Sequence, residues 1–308
     1  MNEHMRGRIV PGLLSFLLFV LSLMPKGMCV AVCKGMAGLW YAMDRKHRRK
    51  VLFDIDRTPL AKLSAKEKVK ICRGMYRHLG IMLAEISKFR SWPAERVKEC
   101  LHVPDVERLR QVAGQGGCIF ITAHFGNWEL SGMAAPLHGI PLAALARPLK
   151  DSSIDAMLNR GRERFGQKIL VKFNAMLEVV RALRSGYNMG LLIDQDAERE
   201  CIFVPFLGEN AGTLIVPAKL ACRLGVPVYC MMAHRVAPFK HEVKVIGPLT
   251  LPTGDDAVRE TAIMFNEVIG AEIMEHPEQW LWLHHRWKTA DRRGLTSASG
   301  YNKDMKTG

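Results

Sequence analysis

The 308-residue chain has eight cysteines but no CxxC pair, and several of them lie in apolar runs such as GCIFITA and VPVYCMMA. A redox dithiol and a disulfide framework are therefore unsupported, and buried reduced thiols in a protein facing the cytosol are expected. There is no GxxxxGKS/T phosphate loop and no G-x-S-x-G elbow, which argues against an NTPase or a serine hydrolase. His276, His284 and His285 lack zinc-ligand spacing with any cysteine, so no metal site is expected, and no cofactor is called for. No internal repeat is visible. Acidic residues are in deficit, 30 Asp+Glu against 44 Lys+Arg, a formal charge of +14. Gly 26 and Pro 15 are too few for collagen-like or low-complexity material, while 48% apolar and 24% charged residues suit a folded globular protein. The length permits one large domain or two ordinary ones.

The charge is uneven. Residues 1–50 hold nine Lys/Arg and two acids, a balance of +7 and half of the total. Such a patch suits a polyanion, whether nucleic acid, anionic lipid headgroups or an acidic protein, and charge does not choose among them. Residues 9–24 (IVPGLLSFLLFVLSLM) carry no charge. As a helix they would be about 24 Å long, short of a ~30 Å hydrocarbon core. Lys26 interrupts, and MCVAVCKGMAGLWYAM then continues the apolar character to Trp40 and Tyr41. The basic start (Arg6, Arg8) also resembles a signal peptide, but no A-x-A-like cleavage site follows cleanly. A retained membrane anchor helix is expected, spanning or lying in the interface; a cleaved signal and a buried core helix are the alternatives. The basic run DRKHRRK at 44–50 favours a cytoplasmic main domain through the positive-inside bias and attraction to anionic lipid. A solvated loop would read the same.

Residues 64–90 place Val69, Ile71, Met75, Leu79, Met82 and Leu83 near helical spacing, with Ser64 and Glu67 in capping-box positions. Strand signals at 118–123, 141–146, 190–193, 226–233 and 242–246 then alternate with helical patterns at 154–166, 175–185, 213–224 and 255–275. The alternation predicts an α/β domain with a mixed, largely parallel sheet flanked by helices. The expected division is an anchor and juxtamembrane segment at 1–43, a main domain at 44–289, and a disordered polar tail at 290–308.

Residues 117–131 read GCIFITAHFGNWELS. An apolar strand ends at Ala123, His124 sits at its C-terminal mouth, and a helix begins around Asn127. Open α/β sheets place their sites at such junctions. Glu129, five residues on, is near enough across a turn for its carboxylate to reach one imidazole nitrogen, fixing the tautomer and supporting the cation formed when the other nitrogen takes a proton. An isolated H-x4-E is a weak signal, because a surface histidine and a solvent-facing glutamate give the same pattern.

The context is more specific. HFGNWE is followed in order by ARP (146–148), GRERFG (161–166), LLIDQDAER (191–199), FVPFLG (203–208) and EHPEQWLWLHHRWKT (275–289). Over about residues 9–289 the chain resembles the bacterial lipid A biosynthesis late acyltransferases, the lauroyl/myristoyl transferases within the wider H-x4-D/E acyltransferase superfamily. The resemblance implies a glycerolipid-acyltransferase-like fold. It also implies transfer of an acyl chain from an acyl-carrier-protein thioester to a hydroxyl of a lipid A precursor, at the cytoplasmic face of the bacterial inner membrane.

A hydroxyl is a poor nucleophile at neutral pH, so a base must take its proton during attack; His124 is the candidate, with Glu129 as its orienter. Charge developing on the thioester oxygen needs donors. The resemblance gives Arg162 this electrophilic role or a phosphate-holding one, with Arg164 sharing it or simply solvated. It places Asp194 near the site to orient an arginine or the sugar, and Arg147 against a phosphate of the acceptor. Structural ion pairing is the alternative for both. Asn127, Gln195 and Arg286 join the substrate-binding set. Phe203, Pro205 and Phe206 either line an acyl channel or pack as a strand into the core. Trp280, Trp282 and Trp287 are core or an interfacial belt. Rival readings are an acyltransferase for another acceptor (a phosphatidylinositol mannoside, an amino-acid lipid or a glycerol phosphate) and a non-catalytic membrane protein that keeps the fold. Nucleic acid is the weakest partner, since no recognition motif accompanies the charge.

Overall fold

The computed structural model describes residues 3–114, 117–146, 151–171 and 175–297. Four helices lead the chain: α1 (Glu3–Leu23), α2 (Lys26–Met43), α3 (Arg45–Asp56) and α4 (Ala65–Phe89). The single anchor helix expected from the apolar run is thus two. Pro25, which lacks the N–H needed to continue a helical ladder, stands as the N-cap of α2. No helix among the described residues is long and apolar enough to cross a membrane. Leu21 of α1 and Cys29 and Cys33 of α2 are buried in one cluster with Ala84 of α4. Gly80 lets α2 and α4 approach closely, because a Cβ there would lie 2.6 Å from the Cys33 carbonyl oxygen. The opposite faces are bare. Phe16, Phe19 and Leu23 on α1 and Met36, Leu39 and Met43 on α2 are exposed, at the three- and four-residue spacing of one helical stripe. The predicted capping box at Ser64 and Glu67 starts α4 with both reciprocal bonds in place.

Two short helices, α5 (Ala94–Lys98) and α6 (Val106–Gly114), flank β1 (Leu101–His102). The chain then alternates: β2 (Ile119–Thr122), α7 (Trp128–Leu137), β3 (Leu142–Ala146), α8 (Ser152–Glu163), β4 (Gln167–Val171), α9 (Ala175–Arg184) and β5 (Asn188–Leu192). A hairpin of β6 (Cys201–Phe206) and β7 (Glu209–Leu214) follows, then α10 (Val216–Leu224), β8 (Val228–Ala237), β9 (Lys240–Ile246), α11 (Ala257–Glu275) and α12 (Lys288–Arg292). Among the described residues seven strands form one sheet in the order β1-β9-β8-β2-β5-β3-β4, parallel except for the β8–β9 pair. This is the mixed, largely parallel α/β sheet that the alternation predicts.

The central strand is covered on both faces, which is why it reads as an unbroken apolar run. Ile119 and Ile121 point into one core with Met189 and Leu191, while Phe120 joins another with Leu130, Met133 and Tyr229. β2 and β5 are neighbours with Thr122 level with Leu192. Two residues beyond each strand, His124 and Asp194 therefore emerge side by side. All eight cysteines are free thiols, six of them buried.

Residues 290–297 depart from the disordered tail expected there. Ala290 and Asp291 are buried in α12, Arg57 forks onto both Asp291 oxygens at 2.9 and 2.7 Å, and Thr296 donates to Asp291 at 2.6 Å. Polar composition suggested a tail, but an ion pair with a residue on the far side of the sequence docks it. Residues 298–308 lie outside the described residues.

Candidate active site

Asp194, not Glu129, faces the imidazole of His124. His124 Nδ1 lies 2.8 Å from Asp194 Oδ1, and the His124 main-chain N–H donates to Oδ2 at 2.9 Å. A carboxylate only accepts, so Nδ1 carries the hydrogen and Nε2 is left free to take a proton. The Trp280 indole N–H donates to Asp194 Oδ2 at 2.9 Å. Burial alone would raise the Asp194 carboxyl, but the charge and hydrogen bond of His124, reinforced by His284 and Trp280, outweigh it and hold it well below the usual carboxylate range. The segment at 280–281 braces the loop from the other side: Phe125 bridges Trp280, and the Leu281 N–H donates to the His124 carbonyl at 3.0 Å.

Glu129 is displaced from His124 by the turn between them. Gly126 adopts φ +56°, and a Cβ there would sit 1.7 Å from the Ala233 carbonyl oxygen, so only glycine fits. The left-handed turn leads directly into α7, with Asn127 as its N-cap. Glu129, in the first turn of α7, instead receives a two-point fork from Arg162, in the last turn of α8: Nε to Oε2 at 2.8 Å and Nη2 to Oε1 at 2.7 Å. Arg162 Nη1 donates to Asn159 at 3.2 Å. Among the described residues these contacts engage three of the five guanidinium N–H donors. Burial would lower the Arg162 guanidinium, but Glu129 outweighs it and the shift is upward.

This pair lines a cleft of about 180 Å³ whose other walls include Leu18, Ile86, Met133, Met157 and Phe165. α1 forms part of it, and Ser15 donates to the Met157 sulfur at 3.5 Å.

The remaining expected residues are distributed differently. Gln195 is exposed beside the imidazole, its amide 3.4 Å from His124 Nε2. Asn127 is buried, accepting from the Leu130 N–H and donating to Glu85 at 2.9 Å, so it shapes the loop rather than meeting substrate. Arg164 lines the cleft but spends its N–H groups on the carbonyls of Phe89, Arg90 and Trp92, tying α8 to the end of α4. Arg286 is buried, bound to the carbonyls of Gln195 and Gly212 and to Thr213, and burial pushes it down to about 10. It supports the Gln195 backbone from below. Phe206 is core, packed between Trp280 and Trp287; Phe203 carries Arg293 over its ring and Pro205 is exposed, and none of the three lines the cleft. Arg147 lies outside the described residues.

Sequence reasoning weighed His284 only as a zinc ligand. Its ring stands edge-on to His124 at 4.2 Å between centroids. Burial first, then His124, pushes it down to about 4, so it is neutral beside His124 at neutral pH. Side-chain atoms of His124, Asp194 and His284 lie within 4.8 Å of one another, a spacing a metal ion would accept. Both Asp194 oxygens are, however, already engaged by His124 and Trp280. No local pattern marks His284, since it reaches the site from the far end of the chain.

Comparison with known proteins identifies the family. The family profile described as bacterial lipid A biosynthesis acyltransferase matches residues 4–289. The chain is 30% identical over 231 residues to the lipid A biosynthesis palmitoleoyltransferase of Escherichia coli (strain K12), covering 73% of this chain and 74% of that protein. It is 29% identical over 252 residues to the lauroyltransferase of the same organism, covering 79% and 80%. A phosphatidylinositol mannoside acyltransferase of Mycolicibacterium smegmatis is 26% identical over 206 residues, covering 62% and 64%. With its strand-end histidine, its apolar cleft and a profile match across nearly its whole length, this chain belongs to the bacterial lipid A biosynthesis acyltransferase family.

Proposed function

We propose that the protein transfers a fatty acyl chain from an acyl-carrier-protein thioester to a hydroxyl of a lipid A precursor, with His124 as general base. The observation that carries this reading is the His124–Asp194 pair, bonded through Nδ1 so that Nε2 faces away from the carboxylate, five residues before the Glu129 that walls an apolar cleft with Arg162. The acceptor hydroxyl attacks the thioester carbonyl carbon while His124 Nε2 takes its proton, and Asp194 supports the imidazolium. A C–O bond forms and the carbonyl oxygen becomes an oxyanion, met by the guanidinium of Arg162. As the oxyanion collapses, the C–S bond breaks and the carrier thiolate takes the proton back from His124. No enzyme nucleophile and no cofactor enter the step. The acyl tail lies along Leu18, Met133 and Met157, where burial of each CH₂ contributes about 0.8 kcal/mol.

The bare apolar stripes of α1 and α2 and the basic start of α3 fit a surface lying in the interface of the bacterial inner membrane, with the catalytic domain on the cytoplasmic side. In that position the cleft, partly built by α1, is reached directly by a lipid acceptor. A phosphatidylinositol mannoside acceptor would use the same chemistry. Incubating the purified protein and its His124→Ala variant with a panel of acyl-carrier-protein donors and bacterial lipid extracts, read by mass spectrometry, tests the reading. Expected is acylation of a lipid A precursor that falls by at least about 10³-fold in the variant. Near-normal transfer by His124→Ala would remove the base assignment, and a product on another lipid would reassign the acceptor.

A further inference from the structure

Beneath the loop that carries His124 lies a polar cluster shut away from solvent. Glu85 on α4 is fully buried and accepts five hydrogen bonds. Arg235 supplies two, from Nε at 2.9 Å and Nη2 at 2.7 Å. The others come from His241 Nε2 at 3.0 Å, the Phe239 main-chain N–H at 3.0 Å and Asn127 Nδ2 at 2.9 Å. Arg235 Nη1 also meets His78 Nδ1, and His78 Nε2 lies 2.9 Å from the Gly126 carbonyl. A carbonyl only accepts, so Nε2 carries the hydrogen and Nδ1 of the neutral ring accepts from Arg235.

The same arginine is clamped from the other side by Gln279. Its side chain accepts from the Arg235 main-chain N–H at 2.7 Å and donates to the Arg235 carbonyl at 3.0 Å. The Gln279 carbonyl in turn accepts the Gly126 N–H at 3.0 Å. Both polar groups of Gly126 and the side chain of Asn127 are thus bound into one buried network. His124 stands two residues before this glycine, and Glu129 two residues after that asparagine. A buried ion pair adds little net stability over apolar packing of the same volume. What it supplies here is geometry, because a loop held at both its N–H and its carbonyl cannot drift.

We infer that His78, Arg235 and Glu85 are positioning residues: they hold the Gly126 peptide and the N-cap of α7 so that the His124 base and the Glu129–Arg162 fork keep a fixed relation. This rests on the reading of His124 as the base. Buried beneath the loop, they act through Gly126 and Asn127 rather than by touching substrate.

The test uses the purified full chain in detergent, with a lauroyl-carrier-protein donor and a lipid A precursor extract, measuring kcat, KM and melting temperature together. His78→Leu, which deletes the donor to Gly126, is expected to lower kcat by about 10- to 100-fold with the donor KM within about threefold, the cost of a small misplacement of reacting groups. His78→Gln offers an N–H to the same carbonyl and an oxygen to Arg235, and is expected to restore most of that loss. Combined with His124→Ala, the His78→Leu change is expected to lower the residual rate no further. Should His78→Leu fail to fold, Arg235→Lys, which keeps the charge against Glu85 and gives up the arm to His78, takes its place with the same expected split. Normal kcat in the folded variants, a loss that His78→Gln does not rescue, or an equal further loss on top of His124→Ala would each overturn the inference. An active His124→Ala would instead sink the reading of the base, which this design separates from failure of the positioning role.

Discussion

The two charged pairs of the candidate site stand on different supports. His124 and Asp194 end adjacent parallel strands, and the His124 main chain and the Trp280 indole both lock the carboxylate in place. Glu129 and Arg162 sit on facing helix ends, held by their own fork and by Asn159. The side chains of the strand pair are 16% and 0% exposed for His124 and Asp194, against 23% and 12% for Arg162 and Glu129. A group that moves a proton is best held by backbone and shielded on one side, whereas a cation that meets a transient oxyanion must keep free donors turned outward. Under the proposed function, proton transfer falls to the strand pair and charge stabilisation to the helix pair.

The strongest way to break that assignment is Asp194→Asn. An amide in this place can donate to Nδ1 and force the hydrogen onto Nε2, the wrong tautomer for a base. The expected loss in kcat is about 10³- to 10⁴-fold with little change in KM, measured by steady-state acyl transfer. A loss below tenfold would return Asp194 to a structural role. The helix pair is expected to be less demanding. Glu129→Gln and Arg162→Lys should each cost about 10²-fold, because a lysine cannot reproduce the fork. If the pair acts as a unit, Glu129→Gln combined with Arg162→Gln should be scarcely worse than either alone; additive losses would show two independent roles.

Acid should damage the strand side first. Burial, and then neighbouring charge, pushes His78 down to about 3 and His284 to about 4. Above pH 6.5 both are neutral folded and unfolded, so they leave stability unchanged. Between pH 6.5 and about 4 the unfolded chain binds protons that the folded chain refuses, so stability falls as acid is added. Each histidine is expected to remove about 2 kcal/mol by pH 5, seen as a lower urea midpoint at pH 5 than at pH 7.5. An unchanged midpoint would mean that one or both rings are charged in the fold. The smallest effect expected is for Trp280→Phe, which keeps the ring and deletes one N–H to Asp194. It should lower kcat about tenfold, the worth of one hydrogen bond to a charged group, with Phe206 packing retained.

How far the sequence reached depended on separation along the chain. The capping box at Ser64 and Glu67 was readable because its parts are three residues apart and depend on local backbone alone. The strand into His124 was readable because a strand covered on both faces must be continuously apolar. The five-residue spacing from His124 to Glu129 misled, because Gly126 turns the chain between them. The partner of His124 comes from β5, seventy positions away, and no periodicity records the order of strands. Arg286 looked like a ligand residue from its motif and Phe206 could equally line a channel or pack into the core, yet both are sealed inside, where they support Gln195 and the tryptophan cluster.

By itself the sequence determined the alternation of strands and helices, the strand-end histidine, the excess of basic residues and the apolar start, all of them properties of neighbouring residues. Only the tertiary structure decided which carboxylate serves which cation. It also decided that the apolar start is two helices with one bare side each, and that Glu85, His78 and Arg235 meet beneath the loop. The physical reason is range: helix periodicity, capping and apolar runs act over a few residues, while ion pairs and loop supports are chosen by the order in which parallel strands stack.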